Sequence, residues 1–282
     1  FIVMEFDLRP IDHESLEQFQ ELISQNPVRN SYVASRLERV GVSGLANRSV
    51  EIIGAFHGKV LHSAMCFGAN LVPINTDQES QRVFADLLAR QGRKCSSIVG
   101  PANEVLQLWS MLEPSWGQAR AIRPNQPVMM TERLSAVPED DLVHYTSELE
   151  LDLLFPACVA MFTQEVGISP VAKDGGQGYR IRIAQLISER HSFVRIDDDE
   201  VIFKAEVGSV GMGVAQLQGV WVNPKFRGQG IGTAALATVV RYVIQDIAPT
   251  VSLYVNDFNR SAISMYEKVG FKHVDSFATV LF

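Results

Sequence analysis

The chain has 282 residues, with 25 basic against 32 acidic side chains for a formal charge of −7, 46% hydrophobic residues and 20% charged ones. That length suits two modest domains better than one, and the composition excludes a disordered chain. No apolar run approaches the ~20 residues of a membrane-spanning helix, and net acidity argues against a general nucleic-acid binder, which needs a basic face. The opening stretch, Phe1–Asp7, carries acids and no basic segment, so no signal peptide is expected. Three scattered cysteines (66, 95 and 158) without a C-x-x-C pair suit a reducing compartment such as the cytoplasm and give no zinc framework. The six histidines include no H-E-x-x-H, so no metal is expected. Cys158, in an apolar stretch, reads as a buried small hydrophobe.

In chain order, Leu8–Ile11 reads as a short strand. Asp12 or Ser15 caps a helix through Phe19, Leu22 and Ile23, which Asn26-Pro27 breaks. A second amphipathic helix covers about 30–40, with Tyr32, Val33, Leu37 and Val40 on one face. Val50–Phe56 and Val60–Val72 follow as strands around a His57-Gly58 turn. A helix at 77–90, a strand at 95–99 and a helix at 103–112 complete the first half. The second half repeats the order. Val143–Thr146 is a strand, Leu149–Glu165 a helix bent or interrupted near Pro156, and Tyr179–Arg190 a helix after a glycine-rich connector. Phe193–Ile196 and Val201–Val207 are strands joined by the acidic turn Asp197–Glu200, and 208–213 reads as a further turn. Val214–Val222 is a strand, 231–245 a helix, 251–255 a strand, 259–268 a helix and 273–282 a last strand. The boundary between domains is expected in the polar stretch 131–142, giving domains at 1–135 and 136–282.

The first local signal for chemistry is Val220–Thr233, where a strand, a short turn and a run of glycines open a helix. A helix N-terminus leaves N–H groups free and carries partial positive charge, and glycines let those donors approach an anion closely. Arg227 adds a cation. Alone, this spacing is weak evidence, since a tight turn would also use these glycines; it is neither G-x-x-x-x-G-K-[ST] nor G-x-G-x-x-G. The second signal is Leu253–Phe271. There a strand ends, Asn259 can cap a helix, and Tyr266 stands seven residues on, on the same helical face, with small Ala262 between them. Gly270-Phe271 ends the helix.

Together these segments resemble the GNAT acyltransferase superfamily over roughly 142–282. Arg227, Gly230 and Gly232 meet R-x-x-G-x-G; Asn259, Ala262, Tyr266, Gly270 and Phe271 meet N-x-x-A-x-x-x-Y-x-x-x-G-F. The resemblance implies an α/β fold (α+β by strand order) of two GNAT-like domains. Each would hold a mixed, mostly antiparallel twisted sheet flanked by helices, splayed between the fourth and fifth strands where acyl-CoA enters. It implies acetyl-CoA as co-substrate and a primary amine of a small molecule, peptide or protein as acceptor, joined by direct attack. The pyrophosphate would lie on Arg227, Gly228, Gln229, Gly230, Ile231, Gly232 and Thr233, with Asn259 nearby. The backbone of Val220 and Val222 would pair with the pantetheine arm. An N–H near Val222 would hold the oxyanion, and Tyr266 would protonate the leaving thiolate.

The base is the open role. Gln216 and Gln218 occupy the strand where many relatives place a glutamate, and neither accepts a proton usefully. Glu206 is the carboxylate candidate, with pairing to Lys204 or a solvent face as its alternative. A water relay or an acceptor arriving neutral would need no base. The first half reads as a worn copy. Asn70–Pro73 parallels Val220–Pro224, but Ile74–Glu79 lacks glycine and arginine and puts two acids where phosphates would lie. Seven residues beyond Asn103 stands Ser110 in place of tyrosine. The chain as a whole is similar to an actinobacterial group of two-domain members whose first domain has no assigned function, on Phe67–Pro73, Ser96–Pro101, Gln216–Val222 and Phe277–Phe282.

The specific alternative is a mycothiol synthase-like tandem enzyme acetylating a cysteinyl amine on a sugar conjugate. From another class, the alternative is a non-catalytic acyl-CoA-binding regulator. Charge is uneven: 13 basic and 14 acidic residues over 1–135, and 12 and 18 over 136–282. The acidic second half either draws a cationic amine or only maintains solubility. Two fused halves favour a monomer over a homodimer, with no nucleic-acid or membrane partner expected.

Overall fold

A computed structural model of the chain describes residues 6–45 and 51–282, with the side chains of residues 40 and 42–45 excepted. Most of the acidic opening stretch Phe1–Asp7, Val40 on its helix face and Val50 at the head of its strand lie outside the described residues.

The first half runs β1 (Asp7–Pro10), α1 (Leu16–Ser24), α2 (Pro27–Leu45), β2 (Glu51–His57), β3 (Val60–Phe67), β4 (Asn70–Ile74), α3 (Gln78–Gln91), β5 (Ser97–Pro101), α4 (Ala102–Trp116) and β6 (Ala121–Thr131). The second half repeats that order: β7 (His144–Tyr145), α5 (Leu151–Val166), α6 (Gln177–Ser188), β8 (Ser192–Asp197), β9 (Glu200–Gly211), β10 (Val214–Val222), α7 (Ile231–Asp246), β11 (Thr250–Tyr254), α8 (Arg260–Val269) and β12 (Lys272–Leu281). Local chemistry explains most boundaries. The Asp77 carboxylate accepts the Ser80 N–H while the Ser80 hydroxyl accepts the Asp77 N–H, a reciprocal cap that starts α3. Asp198-Asp199 and Met212-Gly213 take positive φ in pairs, the backbone of two-residue hairpin loops that match strand twist.

The chain forms two compact units. Unit 1 comprises Phe1–Met129, Tyr254–Asn259 and His273–Phe282; unit 2 comprises Met130–Leu253 and Arg260–Lys272. In unit 1 the strand order is β1-β2-β3-β4-β5-β12-β6. Neighbours from β1 to β4 are antiparallel, β4 and β5 are parallel, and β12 is antiparallel to β5. Its core gathers Phe84, Ile98, Val105, Leu108 and Leu112 with Ala278 and Val280 from β12. In unit 2 the order is β11-β10-β9-β8-β7, antiparallel except for the parallel pair β10–β11. Leu154, Cys158 and Met161 of α5 and Ile183 and Leu186 of α6 pack there with Val194, Val201 and Trp221. Each large apolar side chain so buried contributes roughly 1.5–3 kcal/mol.

Several local expectations are corrected. The expected strand 60–72 is two strands, split at Gly68-Ala69. The expected turn at 208–213 is mostly strand, since β9 continues to Gly211. The α5 helix runs unbroken through Pro156, six residues into it, where the missing N–H removes one helical hydrogen bond. β6 was not expected: Pro124 and Pro127 cannot donate to a ladder, which hides the strand in the sequence. The last strand, which the sequence reading places with the second half, lies in unit 1 beside β5.

Candidate functional site: an opening beside a bulged strand in unit 2

In β10, Val214, Ala215 and Gln216 pair with Thr250, Val251 and Ser252 of β11. The pairing stops there, and β10 runs on to Val222 without β11. Two parallel strands that part in this way leave backbone donors and acceptors open to an extended ligand.

On its other edge β10 pairs with β9, with one interruption. Gln218 stands opposite Glu206 and Trp221 opposite Lys204, so Gly219 and Val220 together face Ala205 alone. This is a β-bulge, and Gly219 takes φ +58, which a residue with a side chain adopts only at a cost. A Cβ on Gly219 would lie 2.8 Å from Lys204 Nζ and 3.0 Å from Glu206 Oε2. Both the backbone angle and the space favour glycine here.

A buried polar cluster lies against the bulge. Lys204 Nζ is 2.9 Å from Glu206 Oε1, with side-chain exposures of 1% and 4%. The same ammonium donates to the Gly219 carbonyl at 2.7 Å and lies 3.9 Å from Met161 Sδ. The Cys158 thiol donates to Glu206 Oε1 at 3.6 Å, and Gln218 Nε2 stands 3.5 Å from Glu206 Oε2. Burial works against the Lys204 ammonium, but the neighbouring Glu206 carboxylate outweighs it and the net shift is upward. Burial pushes the Cys158 thiol up to about 12, helped by Glu206 and opposed by Lys204, so it is a neutral packing group and no nucleophile. Of the two alternatives for Glu206, partner of Lys204 or solvent face, the structure places it with Lys204.

Beyond β10 the chain turns tightly. The Asn223 side chain donates to Glu200 Oε1 and to the Val201 carbonyl, both at 3.1 Å, and accepts the Lys225 N–H. Pro224–Phe226 forms one 3-10 turn. Arg227 Nε donates back to the Val222 carbonyl at 2.9 Å, and its Nη2 reaches Gln164 Oε1 at 3.5 Å. Gly228 and Gly230 both take positive φ, +75 and +79, and a Cβ on either would meet nothing within 4 Å. Gly230 is the N-cap of α7 and supplies no side-chain hydrogen bond, and residues 227–230 are exposed. Ile231 and Thr233 are half-buried behind it. Gly232 is buried, and a Cβ there would lie 2.8 Å from Val222 Cγ2 and 2.9 Å from Met265 Sδ, so it holds α7 close to the end of β10 and to α8. The result is a row of open N–H groups at a positive helix end, which suits a phosphate-bearing ligand.

Tyr266 lies on α8, 6% exposed, with its ring 5.8 Å from that of Phe271. Burial, reinforced by the Glu165 carboxylate, pushes its phenol well above the usual tyrosine range. It stays protonated, and able to donate, at any working pH. Asn259 immediately precedes α8, and its N–H donates to the Asn256 carbonyl at 3.0 Å. Glu165 was not singled out in the sequence. It stands four residues after Met161 and seven after Cys158, on the α5 face that touches Lys204 and Glu206. It acts electrostatically on Tyr266, Tyr179 and Lys204 alike. The missed bulge had one sequence signal, a glycine set within a strand pattern.

The corresponding stretch of unit 1 is closed. β4 pairs with β5 only at Asn70 and Leu71, yet the turn that follows carries its own anion. The Glu104 carboxylate accepts the Thr76 N–H at 2.8 Å and the Thr76 hydroxyl at 2.6 Å. The N-terminus of α3 is filled by Asp77 and Ser80. Two carboxylates thus occupy the positions that α7 leaves open.

Among the described residues no group of three or more His, Cys, Asp or Glu could hold a metal ion, and no helix is long and apolar enough to cross a membrane. Residues 165–271 match the acetyltransferase (GNAT) family, and residues 50–154 match a domain of unknown function, DUF4081. A mycothiol acetyltransferase of Acidothermus cellulolyticus is 40% identical over 73 residues, 25% of this chain and 22% of that protein. The chain spans about a quarter of the length of the curated relatives it matches. Among solved structures, a GNAT-family acetyltransferase from Colwellia psychrerythraea aligns over 98% of this chain and 100% of its own, with TM-score 0.57 and 16% identity. A tandem GNAT protein from the clavulanic acid biosynthesis pathway aligns over 98% of both chains, with TM-score 0.54 and 13% identity. These likenesses are of fold, and they run the length of the chain.

Proposed function

We propose that the second half of the chain, whose residues 165–271 match the acetyltransferase (GNAT) family, transfers the acetyl group of acetyl-CoA to a primary amine. The observation that carries the reading is the uncapped, glycine-opened start of α7 beside the unpaired end of β10. The N–H groups of Gly228, Gln229, Gly230, Ile231, Gly232 and Thr233 would receive the pyrophosphate, with Arg227 as the fixed cation. The backbone of Val220 and Val222 would hold the pantetheine arm as an added strand. A neutral amine then attacks the thioester carbonyl, and the oxygen that gains charge is met by backbone N–H of the bulged segment 220–222. As the C–S bond breaks, Tyr266 gives its phenolic proton to the leaving sulfur. Positioning carries the rest of the rate. No metal takes part in this reading. In this reading the first half of the chain carries no acetyl-CoA, because Glu104 and Asp77 already fill its turn.

The acceptor is a small molecule, peptide or protein amine. The similarity to a mycothiol acetyltransferase favours a second, narrower reading, in which the acceptor is a cysteinyl amine on a sugar conjugate. An amine panel that includes such a conjugate, assayed for released thiol and for the added acetyl mass, decides among them. Turnover of one class of amine supports the proposal. Binding of acetyl-CoA with no turnover across the panel, unchanged by Tyr266→Phe, would instead mark an acyl-CoA-binding regulator.

A further inference from the structure

Taking the acetyl-transfer reading as its premise, we propose that Lys204 and Glu206 are a buried positioning pair that fixes the β10 bulge, so that the Val220 N–H is aimed as a donor at the thioester carbonyl. The geometry of one peptide group leads there. Lys204 Nζ holds the Gly219 carbonyl at 2.7 Å. In a trans peptide the C=O and the following N–H point in opposite directions. A Gly219 carbonyl anchored inward on Lys204 therefore turns the Val220 N–H outward, away from the buried pair. That N–H sits in the bulge, where β9 offers a single residue to two, and beyond the point where β11 leaves β10. It belongs to the stretch of β10 that the acyl group would meet.

The pair is built to hold. Its members are 1% and 4% exposed, and they are backed by Met161 and Cys158 from α5. Two charges taken so far out of water gain little net stability, and apolar residues of similar volume often do as well. Such a pair has its use in specifying one geometry, here the orientation of a single carbonyl. Glu206 keeps the ammonium in place, with Oε1 committed to Nζ. This assigns Glu206 a role through Lys204, and leaves removal of the amine proton to solvent or to the acceptor's own neutral fraction. The bulge glycine completes the device, since a Cβ at residue 219 would crowd Nζ at 2.8 Å.

The experiment separates holding from stability. The double variant Lys204→Met/Glu206→Leu removes both charges together and is expected to keep or raise Tm. It should bind acetyl-CoA within about threefold of wild type, because residues 227–233 are untouched. Its kcat should fall about 30-fold, the scale of a misplaced oxyanion donor, with the same factor at every pH tested. Lys204→Met alone should lower Tm, since it strands the Glu206 charge. Double-variant kcat within threefold of wild type would overturn the proposal. So would a loss that disappears at high pH, which would return Glu206 to the role of base. Hydrogen exchange over 217–223 in the intact chain gives a readout independent of turnover. Faster exchange in the double variant supports the clamp and unchanged exchange overturns it, whether or not wild type acetylates any amine in the panel.

Discussion

Gly230→Glu is expected to weaken acetyl-CoA binding by more than about 100-fold, by placing a carboxylate where the helix end and the open N–H groups would meet the pyrophosphate. The position has no steric defence, since a Cβ there meets nothing within 4 Å, so the chain should still fold. The positive φ of 79 adds about 1–2 kcal/mol of local backbone strain for a residue other than glycine. Gly230→Asn controls for that strain, because asparagine tolerates the left-handed region and brings no charge. It should bind within about tenfold of wild type. Calorimetric affinity for acetyl-CoA is the check. If Gly230→Glu bound within threefold of wild type, residues 227–233 would not be the phosphate cradle.

Tyr266→Phe should lower kcat by about 10²-fold or more, the range for loss of one positioned proton donor. The KM for acetyl-CoA should change by less than about threefold, because the hydroxyl acts on the leaving sulfur and not on the nucleotide. The ring stays packed against Phe271, so Tm should move little. The direction of its shift gives a second, independent check. Burial and Glu165 raise this phenol above the ordinary tyrosine value, so the protonated form persists as pH rises. No alkaline loss of kcat from this group is therefore expected up to about pH 10, the pKa of an unperturbed tyrosine. An unchanged kcat in Tyr266→Phe would remove the residue from the chemistry.

Much of the fold and of the candidate site was legible because it rests on local signals. Glycines at 228, 230 and 232 must mark a turn or a close approach, and each does: two at positive φ, one packed under Val222 and Met265. A helix is expected over 77–90, and α3 starts there on the reciprocal cap of Asp77 and Ser80. Illegible features depended on distant partners. β6 carries two prolines and no clean alternation, and is a strand because β12 lies beside it in unit 1. β12 itself follows α8 in sequence yet pairs with β5, a connection no local pattern records. Glu206 could be drawn toward Lys204 from the sequence, but the third member, the Gly219 carbonyl, became visible only with the register of β9 and β10. Glu165 was passed over because its significance comes from the α5 face it shares with Cys158 and Met161, not from any motif.

The same contrast explains how two halves of one architecture come to differ. α7 opens with glycines and without a side-chain cap, whereas α3 opens with a reciprocal Asp77–Ser80 cap. Glu104 then takes the Thr76 N–H and hydroxyl. A helix N-terminus can serve one anion at a time. In the first half the protein supplies that anion itself.

Titration calorimetry of acetyl-CoA into the intact chain, read for stoichiometry, tests the central claim most directly. One molecule per chain for wild type, and none detectable in Gly230→Glu, is the predicted result. Two molecules per chain, none in wild type, or one retained in Gly230→Glu would contradict a single live site at the start of α7.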